Sequence, residues 1–587
     1  MELKTGDLIV IAMYFIVSLG LGLALSRRGG HSLKDYFLSG SSVPWWLVGT
    51  GMVATTFAAD TPLSITNIVS ERGIAGNWVW WSMAAGGMLT VFFFAPLWRR
   101  AGVLTDLELI ELRYSGPIAE FLRSFKALYF GVFLNCIVMG WVNLALLSIV
   151  RTMFPQADAE LAVTLCALVT LAYVAVSGLW GVMIADAFQF VTALVGCAVL
   201  AIFAARHPAV EAAGGLVGAQ DPASLSFFPQ LSSEGPFFES SMAAFLAYVL
   251  IQWWASWYPG AEPGGGGYIA QRIMSARDER HGILATLWFV VAHYCVRSWP
   301  WILAALATLI LYPGLTGGAR EASYVSLIAD VLPSPLRGLL IAAFAGAYMS
   351  TISTHLNWGA SYVINDFYKR RFVPNADEKH YIQVSRGVTV ALMIISLPVS
   401  FYLLSSVKEA WEFLLDCTAG MGFVLILRWY WWRINAAAEL ASMVAPIFVV
   451  VAMRVVLPAI IVGFEPLPAP QSLFVVAPLS VLATLVVMYL TAPERNEVLQ
   501  KFYERVRPRG PGWAHYGSGG SLGILFVGWV LGTALVYAGL FAPGYLLLGR
   551  FEDALPWLVL LVVAVLGLVV LFRRFIPGRD SRSSRAG

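Results

Sequence analysis

A chain of 587 residues that is 59% hydrophobic and only 12% charged, with a mean hydropathy of +0.73, is excluded from the ordinary soluble globules. Its 38 Lys and Arg against 35 Asp and Glu leave a net charge of +3, which reports membrane topology and gives no reason to expect a nucleic-acid partner. The composition predicts an all-α protein that crosses the bilayer many times.

Apolar runs long enough to cross about 30 Å of hydrocarbon lie near 6–26, 44–70, 76–98, 122–151, 161–180, 182–204, 240–259, 283–311, 337–366, 382–404, 409–428, 436–458, 472–491, 521–543 and 555–573, which predicts about fifteen transmembrane helices. The first run has no basic leader and no small-residue cleavage site, and Arg27 and Arg28 follow it, so it reads as a retained helix. Those arginines, Arg99 and Arg100, the Lys369–Arg371 cluster and the arginines from Arg505 to Arg509 share one side if the N-terminus is outside and the C-terminus cytoplasmic. A multi-pass protein of the plasma membrane is the expected setting. Cys136, Cys166, Cys197, Cys295 and Cys417 sit singly in apolar segments and imply neither disulfides nor a zinc site.

The second segment carries Ala58-Ala59-Asp60-Thr61-Pro62 at mid-depth, and the seventh runs through Trp257-Tyr258-Pro259-Gly260 into Glu262-Pro263 and four glycines. Proline removes a backbone donor and glycine weakens a helix, so both segments should break and free carbonyl oxygens. The breaks are five segments apart and run in opposite directions. A five-plus-five inverted repeat, LeuT-like, with helices 2 and 7 broken is the economical architecture. Its divisions would be an extra helix and loop at 1–43, a first repeat at 44–204, an external loop at 205–238, a second repeat at 239–430 and additional helices at 431–587.

The ninth segment places Ala347, Ser350, Thr351 and Thr354 on one stripe, with Ser353 beside it. Hydroxyls in hydrocarbon are costly unless they bond back to the helix, glue helices together or coordinate something. Facing an unwound segment, they complete an oxygen cage for a hard cation. The expected sodium site is the carbonyls of Ala58, Thr61 and Ala347 with the hydroxyls of Ser350 and Thr351. Asp60, beside the break, either sets the local potential for sodium or caps exposed backbone amides. Further on, Val498, Leu499, Phe502, Tyr503 and Val506 form an apolar stripe within 492–520, which reads as a helix lying on the inner leaflet surface.

At this point the chain resembles the sodium:solute symporter family. The matching stretches are Asp35-Tyr-Phe-Leu-Ser-Gly40 before Pro44-Trp-Trp46, Ala58-Ala-Asp60, Leu109-Ile-Glu-Leu-Arg-Tyr114, Gly178-Leu-Trp-Gly-Val182 before Asp186 and Gln189, Tyr268-Ile-Ala-Gln-Arg272, and Ser350-Thr-Ile-Ser-Thr354 before Asp366-Phe-Tyr-Lys369. The resemblance implies that the broken second helix and the ninth-helix hydroxyls form the sodium site that such carriers share. It also implies a second sodium site in a subset of the family, here Asp186 with Ser350, Ser353 and Thr354. Ala185 stands where a hydroxyl residue is usual, so Asp186 is alternatively a gating or helix-pairing carboxylate.

A solute pocket is expected at mid-membrane, between the broken helices. Its candidates are Thr61, Ser64 and Asn67; Asn135 and Asn143; Gln252, Trp253, Trp254, Tyr258 and Glu262; and Asp416 and Thr418. Asp416, in an apolar stretch, either meets the solute or a cation, or pairs with Arg297. His293 and His355 read as satisfied core histidines rather than proton relays. The aromatic residues beside Glu262 and Asp416 suit a sugar or glycoside, while an organic anion requires Arg297 to face the cavity. The expected activity is sodium-coupled symport of a small organic solute; proton coupling through Asp60 or Asp186, an amino-acid solute and a carrier-like membrane sensor are the alternatives. No nucleophile with an adjacent base appears, so an enzyme is not expected. Oligomeric state is not legible.

Overall fold

The computed structural model describes residues 3–24, 38–230, 240–404, 406–517 and 519–575, with the side chains of 19, 22–24, 173, 175–180 and 574–575 excepted. The start of the Asp35–Gly40 motif and most of the Gly178–Val182 motif therefore lie outside the described residues. The described chain is helical, with no strand beyond one isolated bridge between Val43 and Ala276.

The principal helices are α1 (Thr5–Ala24), α2 (Trp45–Thr55), α3 (Asp60–Arg72), α4 (Ile74–Ala101), α5 (Gly116–Met153), α6 (Ala159–Ala205), α7 (Ser241–Ala255), α8 (Gly267–Ser275), α9 (Glu279–Leu311) and α10 (Gly317–Val331). They continue as α11 (Leu336–Arg371), α12 (Glu378–Leu403), α13 (Val407–Cys417), α14 (Met421–Tyr430), α15 (Ala436–Ile460), α16 (Leu473–Leu490), α17 (Asn496–Val506), α18 (Gly523–Leu547) and α19 (Phe551–Phe575). Among the described residues, ten helices are long and apolar enough to cross a membrane, or eleven if α13 and α14 form one span bent by 51°. α2 and α3, and α7 and α8, are short arms about non-helical stretches, so none of them passes that length and apolarity test by itself.

Burial ranks the elements. In α11, 83% of the apolar window is buried inside the protein, against 17% in α19, so α11 is central and α19 faces outward. α11 packs on α1, α2, α5, α6 and α12. α17 departs from the leaflet-surface expectation: Leu499, Phe502 and Val506 are buried. The Phe502 ring packs on Trp513 at 5.2 Å and Trp429 at 6.0 Å, so the apolar stripe docks on the protein instead of on lipid.

One end of the bundle is tied by buried ions. Arg123 of α5 meets Asp366 of α11 at 2.5 Å and Glu111 of the short helix Glu108–Arg113 at 2.6 Å. Nearby, Glu439 of α15 accepts from Lys126 at 2.6 Å, Arg428 at 2.8 Å and the Tyr114 hydroxyl at 2.7 Å. Each charge here has a counter-charge at hydrogen-bond distance, the condition under which buried ions are tolerated.

Candidate functional site

The chain leaves helical form after Thr55 because its own side chains compete with the helix. Thr55 Oγ1 donates to Gly51 O at 2.9 Å and Thr56 Oγ1 to Val53 O at 2.9 Å, back-bonding that favours a helix end. α3 then starts at Asp60, whose carboxylate faces the N–H groups of its own first turn, and Pro62 sits in that turn, where a missing N–H costs little. Between them, Phe57, Ala58 and Ala59 are unwound, and Ala58 O accepts a long bond of 3.3 Å from Thr61 N.

α11 meets this break through Thr351. Its hydroxyl is 3.0 Å from Thr55 O and 3.1 Å from Ala347 O, so one side-chain oxygen links the unwound strand to the hydroxyl helix. Ala58, Asp60, Thr61 and Thr351 line a common central cavity of about 70 Å³, whose wall also includes Thr55, Thr56, Trp80, Trp141, Tyr258, His293, Arg297, His355 and Trp411. Ser350, buried like Ala347, is not in that wall.

Of Asp186, Ser350, Ser353 and Thr354, Asp186 and Thr354 meet a cation of the chain itself. Arg272 Nη2 lies 2.8 Å from Thr354 Oγ1, 3.0 Å from Thr55 Oγ1 and 3.4 Å from Asp186 Oδ2, with the guanidinium fully buried. Ser353 Oγ bonds to Ser350 O at 2.9 Å.

Many expected solute contacts serve the scaffold. Thr418 Oγ1 accepts from Trp257 N at 3.0 Å and reaches Trp257 O at 3.0 Å and Leu414 O at 2.8 Å, holding the interruption after α7 against α13. Asp416 pairs with Arg454 and accepts from Ser472 Oγ at 2.8 Å; its partner is not Arg297. Asn143 bonds to the hydroxyls of Tyr348 and Ser400, at 2.9 and 3.1 Å, stitching α5 to α11 and α12. Gln252 donates to Val79 O at 2.6 Å. The indole N–H groups of Trp253 and Trp254 bond back one helical turn, and Trp253 stacks on Trp529 of α18 at 5.7 Å. Asn135 clasps His355 reciprocally: Nδ2 donates to His355 O at 2.9 Å and Oδ1 accepts from the imidazole at 2.6 Å. Glu262 lines a separate small cavity with Asp106, Lys126, Tyr362 and Arg428, and Ser64 and Asn67 are buried on α3 outside the central cavity wall. Of the aromatic residues expected around the solute, Tyr258 is in that wall.

Among the other wall residues, Trp80, Trp141 and Trp411 carried no sequence signal, since they look like any membrane tryptophan, whereas Arg297 and His293 were singled out in the sequence and enter the cavity because α9 passes beside the α2–α3 break. Thr56 Oγ1 is 2.9 Å from His293 Nδ1. Arg297 Nη2 is 2.6 Å from the same nitrogen, and Arg297 Nη1 is 3.4 Å from Val53 O.

The model of the sodium:solute symporter family matches residues 36–445. The chain belongs to that family. It is therefore a multi-pass membrane transporter and not an enzyme, and sodium-coupled symport is the activity its membership supports. A sodium/glucose cotransporter of Vibrio parahaemolyticus is 26% identical over 471 residues, covering 75% of this chain and 83% of that one. A sodium/mannose cotransporter of Bos taurus is 23% identical over 436 residues, covering 68% and 69%. A solved structure of a Na+-coupled sialic acid symporter in a substrate-bound outward-open state superposes with a TM-score of 0.67 at 19% identity, over 84% of this chain and 99% of that chain. The symporter thus shares that fold.

Proposed function

We propose that this protein carries a small organic solute across the plasma membrane together with sodium, by alternating access about the central cavity. The observation that supports this reading most is Thr351: its hydroxyl reaches Thr55 O and Ala347 O while Ala58 and Thr61 line the same cavity. Carbonyls of an unwound segment and a helix hydroxyl are the neutral oxygen ligands that a sodium ion takes, and Asp60 adds a nearby negative charge. The architecture in this reading is the five-plus-five repeat over 44–204 and 239–430, with the outside at the N-terminus and the tied ion-pair end cytoplasmic. Coupling follows from differential affinity: sodium closes the gap between α3 and α11 in one form and loses ligands when they part.

A second sodium at Asp186, Ser350, Ser353 and Thr354 would have to displace Arg272, so the reading favours one sodium per cycle. The relatives' sugars and the aromatic walls from Trp80, Trp141, Tyr258 and Trp411 support an organic solute with apolar faces, a sugar or a sugar-like acid. Uptake into proteoliposomes tests the activity. An inward sodium gradient should drive accumulation, and replacing sodium with choline should abolish it; accumulation that follows a pH gradient in choline would move the coupling to a proton on Asp60.

A further inference from the structure

Arg297 lines the central cavity, is 1% exposed, and has no carboxylate within 4 Å among the described residues. Its nitrogens reach the carbonyls of His293 and Val53 and the His293 ring, and the guanidinium carbon lies 5.1 Å from the Trp301 ring centroid. Among the described residues, four other buried cations have a counter-charge: Arg272 has Asp186, Arg123 has Asp366, and Lys126 and Arg428 share Glu439; Arg113 and Arg320 end on backbone carbonyls away from the cavity. Asp60 shares the cavity with Arg297 without forming an ion pair, because it faces the α3 N-terminus and the Thr61 hydroxyl.

Resting on the symport reading above, we infer that the solute is an organic anion whose carboxylate docks on Arg297. A guanidinium presents paired N–H donors that match a carboxylate, and in a low-dielectric cavity a guanidinium with no carboxylate at ion-pair distance favours an anionic guest. The surrounding Trp80, Trp141 and Tyr258 supply apolar faces for the organic part. Charge balance then links the two cargoes. Asp60 and Arg297 bring opposite charges to the cavity, so sodium alone leaves it with one positive charge, and sodium with a monocarboxylate restores neutrality. Each cargo thereby improves the site for the other, and the net cycle moves no charge.

The test uses the purified full chain and its thermal stability in sodium or choline, with D-glucuronate, lactate and benzoate as anionic probes and D-glucose and myo-inositol as neutral ones. The expected result is stabilisation by at least one carboxylate, in sodium only, with the neutral sugars inactive. Arg297→Gln should weaken the apparent affinity for that carboxylate about tenfold or more, while Arg297→Lys keeps part of it. Both variants should still be stabilised by sodium alone, Arg297→Gln at lower sodium because the opposing positive charge is gone, which shows that they are folded. Uptake of the active carboxylate should be unchanged by an imposed membrane potential. Stabilisation by a neutral sugar with no carboxylate active, an Arg297→Gln response equal to wild type, or potential-driven uptake would overturn the anion assignment and leave symport standing. No sodium shift in the wild type would instead remove the symport reading, and this inference with it.

Discussion

At the scale of single residues, Thr351 is where the account is most exposed. Its hydroxyl bridges the α2–α3 break to α11, so Thr351→Ala removes one oxygen of the proposed cage and leaves the helix intact. Losing one such ligand is worth about 1–2 kcal/mol, or roughly 5- to 30-fold in the sodium concentration for half-maximal uptake, with protein abundance near wild type. Sodium-dependent uptake measured on matched amounts of protein checks this. The hydroxyl ladder was legible because Ser and Thr at helical spacing in an apolar helix need a partner. Which partner each found was not: Thr354 meets Arg272, and Asp416 meets Arg454, pairings set by helices distant in sequence. Polar residues such as Asn143 and Thr418 read as solute contacts for the same reason; a buried polar group must be satisfied, and tertiary packing decides whether a ligand or a neighbouring helix does it.

Among the elements, the interruptions at 56–59 and 256–266 were readable because Pro and Gly act locally on the backbone. Gly260 shows how tightly they meet. At φ +84°, a Cβ there would lie 2.3 Å from Tyr268 Oη and 2.5 Å from Thr56 Cγ2, so the two non-helical stretches touch where only glycine fits. Gly260→Ala should cost about 2 kcal/mol or more and lower both the melting temperature and the rate of transport, readable by differential scanning fluorimetry and initial uptake. The bend between α13 and α14 escaped sequence reading, since Gly420 alone is a weak signal in an apolar run; its φ of +112° becomes evident in the fold. α17 was legible as an amphipathic helix, but an apolar stripe does not say whether it covers lipid or protein, and Trp429 and Trp513 settle it for protein.

Over the whole molecule, an all-α membrane architecture followed from composition, whereas hydropathy by itself does not separate a broken span from two neighbouring spans. The family was carried by the order of several weak motifs, a property of the chain as a whole. Function lies on that scale as well: sodium is proposed to bridge α2–α3 to α11, while the tied ion pairs around Arg123 and Glu439 hold the other elements at one end. The most direct measurement is the melting temperature of the purified protein across a sodium series with choline balancing the ionic strength, for wild type and Thr351→Ala. The account predicts saturable stabilisation by sodium in the wild type and a shift to higher sodium in the variant. Identical melting in sodium and choline, or a Thr351→Ala curve that overlies the wild type, would contradict it.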